Sequence, residues 1–348
     1  MSRTIRVLLV EDSLTDLTVL KRMIATSSEI EVVGTASNGR EALALIPVLD
    51  PHVICTDLQM PEMDGLELTR EVMHRFPRPI LVISSLVDSS EAWQSFRLLG
   101  AGAIDVFPKY RDGLGDPKIA KSLVDKIRVL SGVFVFTKKP IQDLSQKVTG
   151  PAKCPAKGAQ GSRGVVVIGT STGGPQALHR ILTSLPESFP MPILCVQHIS
   201  EGFIRGLVDW LKKPCRLSVK IMEEGEIAKA GTVYFPMEET HLCIDSTYKL
   251  LASREGPIGG HRPSIDVLFQ SAADAFGSAA VGVLLTGMGR DGAMGLKSIF
   301  DRGGVTLAQD KETSVVYGMP HAASELGAVS LMLPLDQVGP SLINLNKA

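Results

Sequence analysis

Cysteine, aromatic side chains and net charge are all scarce in this chain, and each scarcity removes a class of function. The five cysteines among 348 residues (Cys55, Cys154, Cys195, Cys215, Cys243) are scattered, odd in number and never spaced Cys-x-x-Cys. That usage fits a reducing cytoplasm rather than a disulfide framework. Cys55 and Cys195 sit inside apolar runs and read as small core residues. A formal net charge of −1 gives no electrostatic footprint for nucleic acid or a membrane surface. No apolar run reaches the roughly 18 residues needed to span a bilayer, and the N-terminus enters a strand without a signal segment. Aromatics make up 5% of a chain that is 44% hydrophobic, so sheets of Val, Ile and Leu under Ala- and Leu-rich helices are expected.

At 348 residues the chain is too long for one ordinary core, and two domains are expected. Ile5 to Val10, Val32 to Ala36, Val53 to Thr56, Ile80 to Ile83 and Ile104 to Phe107 read as short buried strands. Between them lie helical patterns at Leu14 to Ala25, Arg40 to Ile46, Gly65 to Arg75, Glu91 to Leu99 and Pro117 to Leu130. Near-continuous apolar strands alternating with helices predict an α/β domain with a parallel sheet wound on both faces, over residues 1–130. Residues 131–163 hold six Lys or Arg against one acid and are rich in Pro, Gly, Gln and Ser. They read as a flexible, solvated linker, or alternatively as a tether for an acidic partner.

From 164 to 348 the alternation resumes, with helices expected at Pro175 to Leu185, Phe203 to Leu211, Ser264 to Phe276 and Ala293 to Arg302. Leu217 to Tyr248 breaks into short strands, expected as an antiparallel addition at the sheet edge. There is no internal repeat and no helix-turn-helix, so a DNA-binding regulator is disfavoured.

Carboxylates close the early strands. Glu11 and Asp12 end the first and Asp57 the third, and in a parallel sheet these ends are neighbours. Crowded like charges call for a cation, and a hard oxygen site suits Mg²⁺. With a metal bound, Asp57 becomes a plausible nucleophile for phosphoryl transfer, while Ser84 and Lys109, at the fourth and fifth strand ends, can meet a phosphoryl oxygen.

Three later strand ends carry a second constellation. Val165 to Ile168 runs into Gly169-Thr170-Ser171-Thr172-Gly173, Ile193 to Val196 into Gln197-His198, and Val281 to Leu285 into Thr286-Gly287-Met288-Gly289-Arg290-Asp291-Gly292. The G-x-S-x-G run alone fits a nucleophile elbow, a phosphate cradle at a helix N-terminus or a plain tight turn. His198 and Asp291 at matching strand ends favour the first, as base and orienter, in the chain order Ser, His, Asp. A nucleotide-binding domain is disfavoured because the G-x-x-x-x-G-K-[ST] lysine is missing.

Val10-Glu11-Asp12-Ser13 and Asp57-Leu58-Gln59-Met60-Pro61-Glu62-Met63-Asp64-Gly65 resemble a response-regulator receiver. The resemblance implies a flavodoxin-like fold with Asp57 phosphorylated. Glu11, Asp12, Asp57 and the Gln59 carbonyl would hold Mg²⁺, Ser84 would be the switch hydroxyl and Lys109 the phosphate-pairing lysine. Two positions depart from the pattern: Val106 stands where an aromatic switch residue is usual, and Pro108 precedes the lysine rather than following it. His261 to Phe269, the Asp291 loop, Ala308-Gln309-Asp310 and Tyr317-Gly318-Met319-Pro320 resemble the CheB-type chemotaxis methylesterases. That resemblance implies a Rossmann-like methylesterase domain with Ser171 as nucleophile, His198 as general base and acid, and Asp291 orienting His198. Thr172 would support the histidine, the Met288 N–H would join the oxyanion hole and Arg262 would position substrate. His241 is left between rim packing and substrate contact, because the Ala-Pro-Gly turn of the family appears as Phe235-Pro236-Met237. The implied substrates are methyl-accepting chemoreceptors and the implied phosphodonor a histidine kinase of the CheA type. No cofactor is implied for the esterase chemistry.

Overall fold

The structure is a computed structural model that describes residues 4–84, 89–109, 117–133, 135 and 164–345. Most of the expected linker and Tyr110 lie outside the described residues. The N-terminal part alternates β1 (Ile5–Val10), α1 (Leu14–Ile24), β2 (Ile30–Ala36), α2 (Gly39–Leu49), β3 (Val53–Asp57) and α3 (Gly65–Arg75). It continues with β4 (Ile80–Ser84), α4 (Ser89–Ala101), β5 (Asp105–Pro108) and α5 (Pro117–Ser131). Its five strands are all parallel, in the order β2-β1-β3-β4-β5. Helix starts are fixed by caps: Ser13, Asn38 and Asp64 each accept an N–H from the first turn of α1, α2 and α3 respectively. The expected end of α2 at Ile46 is exceeded, since the helix runs through Pro47 to Leu49 and stops at Asp50, whose φ is +40°.

Residue alternation on β1 divides the core. Leu8 and Val10 enter a layer with α2, α3 and α4, whereas Val7 and Leu9 enter one with α1 and α5. Each aliphatic side chain so buried adds about 1.5–3 kcal/mol.

The C-terminal part runs β6 (Val165–Thr170), α6 (Gly174–Ser184), β7 (Ile193–Gln197), α7 (Ile204–Lys212), β8 (Ser218–Ile221) and β9 (Thr232–Phe235). Next come β10 (His241–Ile244), β11 (Leu250–Ser253), α8 (Ile265–Phe276), β12 (Ala280–Leu284) and α9 (Ala293–Asp301). β13 (Val305–Gln309), α10 (Met319–Glu325), β14 (Leu331–Leu333) and α11 (Leu335–Leu345) complete it. Seven parallel strands take the order β14-β13-β12-β6-β7-β9-β8. The expected antiparallel edge is corrected. β8 and β9 join the sheet in parallel, because residues 222–231 cross over between them, tied to the neighbouring hairpin by Gly225 N–H to Leu250 O and Ala228 N–H to Tyr248 O. Among the named strands of the described residues, β10 and β11 alone pair antiparallel, as a separate two-stranded hairpin.

One apolar layer continues from the first sheet into the second. Phe96 of α4 meets Phe203 edge-on at 6.4 Å and stacks on Trp210 of α7 at 6.0 Å. Beside them Lys213 Nζ sits 3.7 Å over the Trp93 ring, and Gln176 of α6 donates to the Ala103 and Ile104 carbonyls.

Candidate active site

β6 lies between β7 and β12, so the chain leaves the first strand of this sheet in one direction and later returns on its other side. Such a switch point is where open α/β sheets bind ligands. Ser171 follows β6, His198 follows β7 and Asp291 lies in the loop between β12 and α9. The backbone of Ser171 is pinned from both neighbours. Its N–H donates to Thr286 O (3.0 Å), and its carbonyl accepts from Gly174 N–H and Gln197 Nε2, each at 2.8 Å. A Cβ at Gly287 would stand 2.7 Å from Ser171 Cβ, so only glycine lets the loop after β12 pass this close. The N–H groups of Thr172 and Met288, on either side of that approach, have no hydrogen-bond partner among the described residues.

His198 donates its backbone N–H to Thr170 O at 2.9 Å, and its ring is nearly buried. Its Nε2 lies 2.8 Å from Asp291 Oδ2, whereas Nδ1 is buried without a hydrogen bond. The structure thus joins His198 to Asp291 and sets Ser171 on the adjacent strand end. It makes no hydrogen bond between Ser171 Oγ and His198. A flat stack covers the His198 face, with the His261 ring 3.9 Å away at 3°. Burial lowers the pKa of His261, charge on His198 adds to this, and Asp291 opposes it.

Asp291 occupies the N-terminus of α8, where unpaired amides attract an anion. Oδ1 accepts from Ser264 Oγ (2.9 Å) and Asp266 N–H (3.1 Å), and Oδ2 accepts from Ile265 N–H (2.7 Å). Burial alone would raise the Asp291 pKa, but the bond to His198, its charge and the α8 amides hold the carboxyl well below the usual range. Asp266 differs: burial pushes it up to about 6 and the Asp291 charge adds to this, although Gly295 N–H donates to it at 2.7 Å. His241 is fully buried, accepting Ser264 N–H on Nδ1 at 3.0 Å and placing Nε2 3.2 Å from Gly256 O. Both bonds tie it into the packing of the loop. The signal that could have found Ser264 and Ile265 is the helix start itself, since an N-cap and its first amides form an anion site.

The Thr172 hydroxyl, expected to support His198, points elsewhere. It donates to Asp105 Oδ2 of β5 at 3.3 Å, and Asp105 is also ion-paired to Lys126 of α5. Arg262 pairs with Glu239 at 3.1 Å and lines, with Gln197, Ile199, Met237 and Pro263, a cavity of about 240 Å³ beside the His198 loop. The Met288 side chain is half-exposed.

At the C-terminal edge of the first sheet, oxygens of Glu11, Asp12 and Asp57 lie within 4.8 Å of one another. Lys109 Nζ donates to Asp57 Oδ2 (2.7 Å), Glu11 Oε1 (3.0 Å) and Asp16 Oδ2 (3.4 Å). Asp16 is an acid the sequence reading did not single out. Its signal was its place one turn after Asp12 at the start of α1. Burial, then the Asp57 charge, raises Glu11 to about 7, and burial likewise raises Asp57 against the pull of Lys109. Burial would lower Lys109, but Asp57 and Glu11 hold it above its usual value. A cluster of carboxylates offering hard oxygen donors fits a magnesium ion. Gln59 is exposed two residues beyond Asp57. Ser84 is buried and accepts a hydrogen bond from Ser95 Oγ of α4 at 2.9 Å. Val106 faces the α4 layer and Phe107 the opposite one, so Phe107 cannot replace an aromatic at 106.

Residues 166–342 match the CheB methylesterase family and residues 7–113 the response regulator receiver domain. A Nitrosospira multiformis protein named protein-glutamate methylesterase/protein-glutamine glutaminase is 38% identical over 98% of this chain and 97% of its own length. A Carboxydothermus hydrogenoformans protein of the same name, numbered 1, is 41% identical over 97% and 98%. The solved Thermotoga maritima CheB methylesterase catalytic domain superposes with a TM-score of 0.52 at 39% identity, covering 53% of this chain and 99% of that one. An esterase-like constellation on one parallel sheet and an acidic pocket on another thus coincide with two family matches along the chain: it belongs to the CheB methylesterase family and carries a response regulator receiver domain ahead of the catalytic one.

Proposed function

We propose that this chain is a phosphorylation-gated serine hydrolase acting in the cytoplasm. It removes methyl esters from glutamate side chains of methyl-accepting chemoreceptors, releasing methanol, and deamidates receptor glutamines. Residues 1–130 would be the receiver, 131–163 the linker and 164–348 the catalytic domain. The observation that carries this reading is the His198–Asp291 pair, brought together from the end of β7 and the loop after β12 on either side of the strand that delivers Ser171.

Ser171 Oγ attacks the ester carbonyl while His198 takes its proton on Nδ1, the nitrogen left unpaired. Asp291 holds the Nε2–H end and stabilises the imidazolium. The Met288 and Thr172 N–H groups receive the developing oxyanion. His198 then returns the proton to the departing methoxide. Water, deprotonated by the same ring, cleaves the acyl-enzyme to leave glutamate and free Ser171. A primary amide follows the same path with ammonia leaving. Arg262 positions the receptor segment over the adjoining cavity.

In the receiver, Asp57 would accept the phosphoryl group from a CheA-type histidine kinase. Glu11, Asp12, Asp57 and the Gln59 carbonyl would hold Mg²⁺, which when bound neutralises the charge gathering around the phosphoryl oxygens. Lys109 then pairs with a phosphoryl oxygen, and Ser84 turns toward it and away from Ser95. Because Ser95 adjoins Phe96, that turn loosens the α4 contact with α7 and lifts Asp105 from Thr172. Among the described residues no helix is long and apolar enough to cross a membrane.

Release of methanol from methylated chemoreceptors, absent with Ser171→Ala, tests this reading. Methanol release by Ser171→Ala at the wild-type rate would remove it.

A further inference from the structure

His198 is fixed by a polar contact at one end only. The bond from Nε2 to Asp291 anchors a point on the ring, while Nδ1 has no bond to stop the ring turning about that point. The His261 ring supplies a second restraint, lying flat on His198 at 3.9 Å and 3°. The segment that presents it is a tight hairpin. Ile258 and His261 exchange two backbone hydrogen bonds of 3.0 Å across Gly259 and Gly260, whose φ values of +59° and +89° suit the twist of such a turn. Just beyond, Ser264 and Ile265 donate to Asp291, and His241 ties Ser264 in place. A single short segment therefore grips the face of the imidazole and its orienting carboxylate together.

We propose that His261 is a positioning residue of the hydrolytic site, its flat ring setting the plane of His198 so that Nδ1 faces Ser171. The inference rests on the Ser171, His198 and Asp291 reading above. His261 acts through its surface, since its ring nitrogens make no hydrogen bond among the described residues. Its burial, and the charge His198 acquires when it takes the serine proton, both keep His261 neutral. The imidazolium then lies against a neutral aromatic face, an attractive arrangement, and a second cation is avoided.

The test compares His261→Ala, His261→Phe and His261→Gln in the full chain. Methanol release from methylated chemoreceptors gives kcat and KM, and thermal melts confirm folding. His261→Ala should lower kcat about ten- to a hundredfold with KM little changed, the cost of a base held loosely. His261→Phe keeps a flat ring without nitrogens and should recover kcat to within about threefold of wild type. His261→Gln keeps hydrogen bonding without the ring and should resemble His261→Ala. Wild-type kcat in His261→Ala would overturn the proposal, as would a rise in KM alone. A His261→Phe variant no better than His261→Gln would also overturn it, and that pair decides the matter if His261→Ala does not fold. Methanol release by Ser171→Ala, run alongside, reports failure of the underlying serine mechanism instead.

Discussion

The His198 imidazole meets Asp291 through Nε2, at 2.8 Å, and leaves Nδ1 buried without a hydrogen bond. The two residues come from strands on opposite sides of β6, and their bond spans the end of the strand that delivers Ser171. Asp291 is already committed to the α8 amides and the Ser264 hydroxyl, so its position is set before any substrate arrives.

Asp291→Asn should therefore cut turnover by up to roughly 10⁴-fold, through loss of the charge and of the tautomer it selects. Ser264→Ala removes a single hydrogen bond to that carboxylate and should cost about tenfold. Steady-state methanol release measures both. A near-wild-type rate for Asp291→Asn would exclude its orienting role.

Contact between α4 and α7 should restrain the enzyme. A fragment beginning at Gly164 is expected to outpace the unphosphorylated full chain. Trp210→Ala, which removes one of the two aromatic partners of Phe96, should raise basal activity of the full chain while leaving that fragment unchanged. Equal activity of fragment and full chain would count against the gate.

If Ser84 links phosphorylation to α4 through its bond to Ser95, the two steps should be separable. Ser84→Ala should still take up phosphoryl label at Asp57 yet fail to accelerate methanol release. Chelation of Mg²⁺ should abolish the labelling and leave the Gly164 fragment fully active. Loss of fragment activity on chelation would reveal a metal requirement in the esterase itself.

Asp266 gives the fold a pH dependence of definite sign. Its folded pKa of about 6 lies above its ordinary value of 3.8, through burial and then the Asp291 charge. The stability it contributes is complete below pH 3.8 and is lost as pH rises through 6. Asp266→Asn, which can still accept from Gly295 N–H, should melt higher than wild type at pH 8, with the difference closing toward pH 4. A constant difference across that range would contradict the assignment.

Much of this was legible in the sequence because parallel strands buried on both faces read as unbroken apolar runs. Ile5 to Val10 and Val165 to Ile168 are examples, and side chains at their ends fall on one edge. Asp57 closes β3, and Ser171 and His198 directly follow β6 and β7, while Asp291 lies further out, in the loop between β12 and α9. The direction of β8 and β9 was not legible, since nothing local records which neighbour a strand pairs with or how a connection crosses over. β13, β14 and α11 were also missed, though they extend the sheet by the same βα grammar. The His261 stack and the Asp105 bond to Thr172 join residues 63 and 67 positions apart, so only the assembled fold brings them together. Thr172 shows the limit of reasoning by motif: its neighbours match the elbow, but its hydroxyl answers to the receiver.

The most direct test is the rate of methanol release from methylated chemoreceptors by the full chain before and after phosphorylation, with Asp57→Asn and Ser171→Ala alongside. The expected result is slow release that rises on phosphorylation, no rise in Asp57→Asn, and no release at all from Ser171→Ala. The same rate before and after phosphorylation of Asp57 would contradict the claim that the receiver gates Ser171.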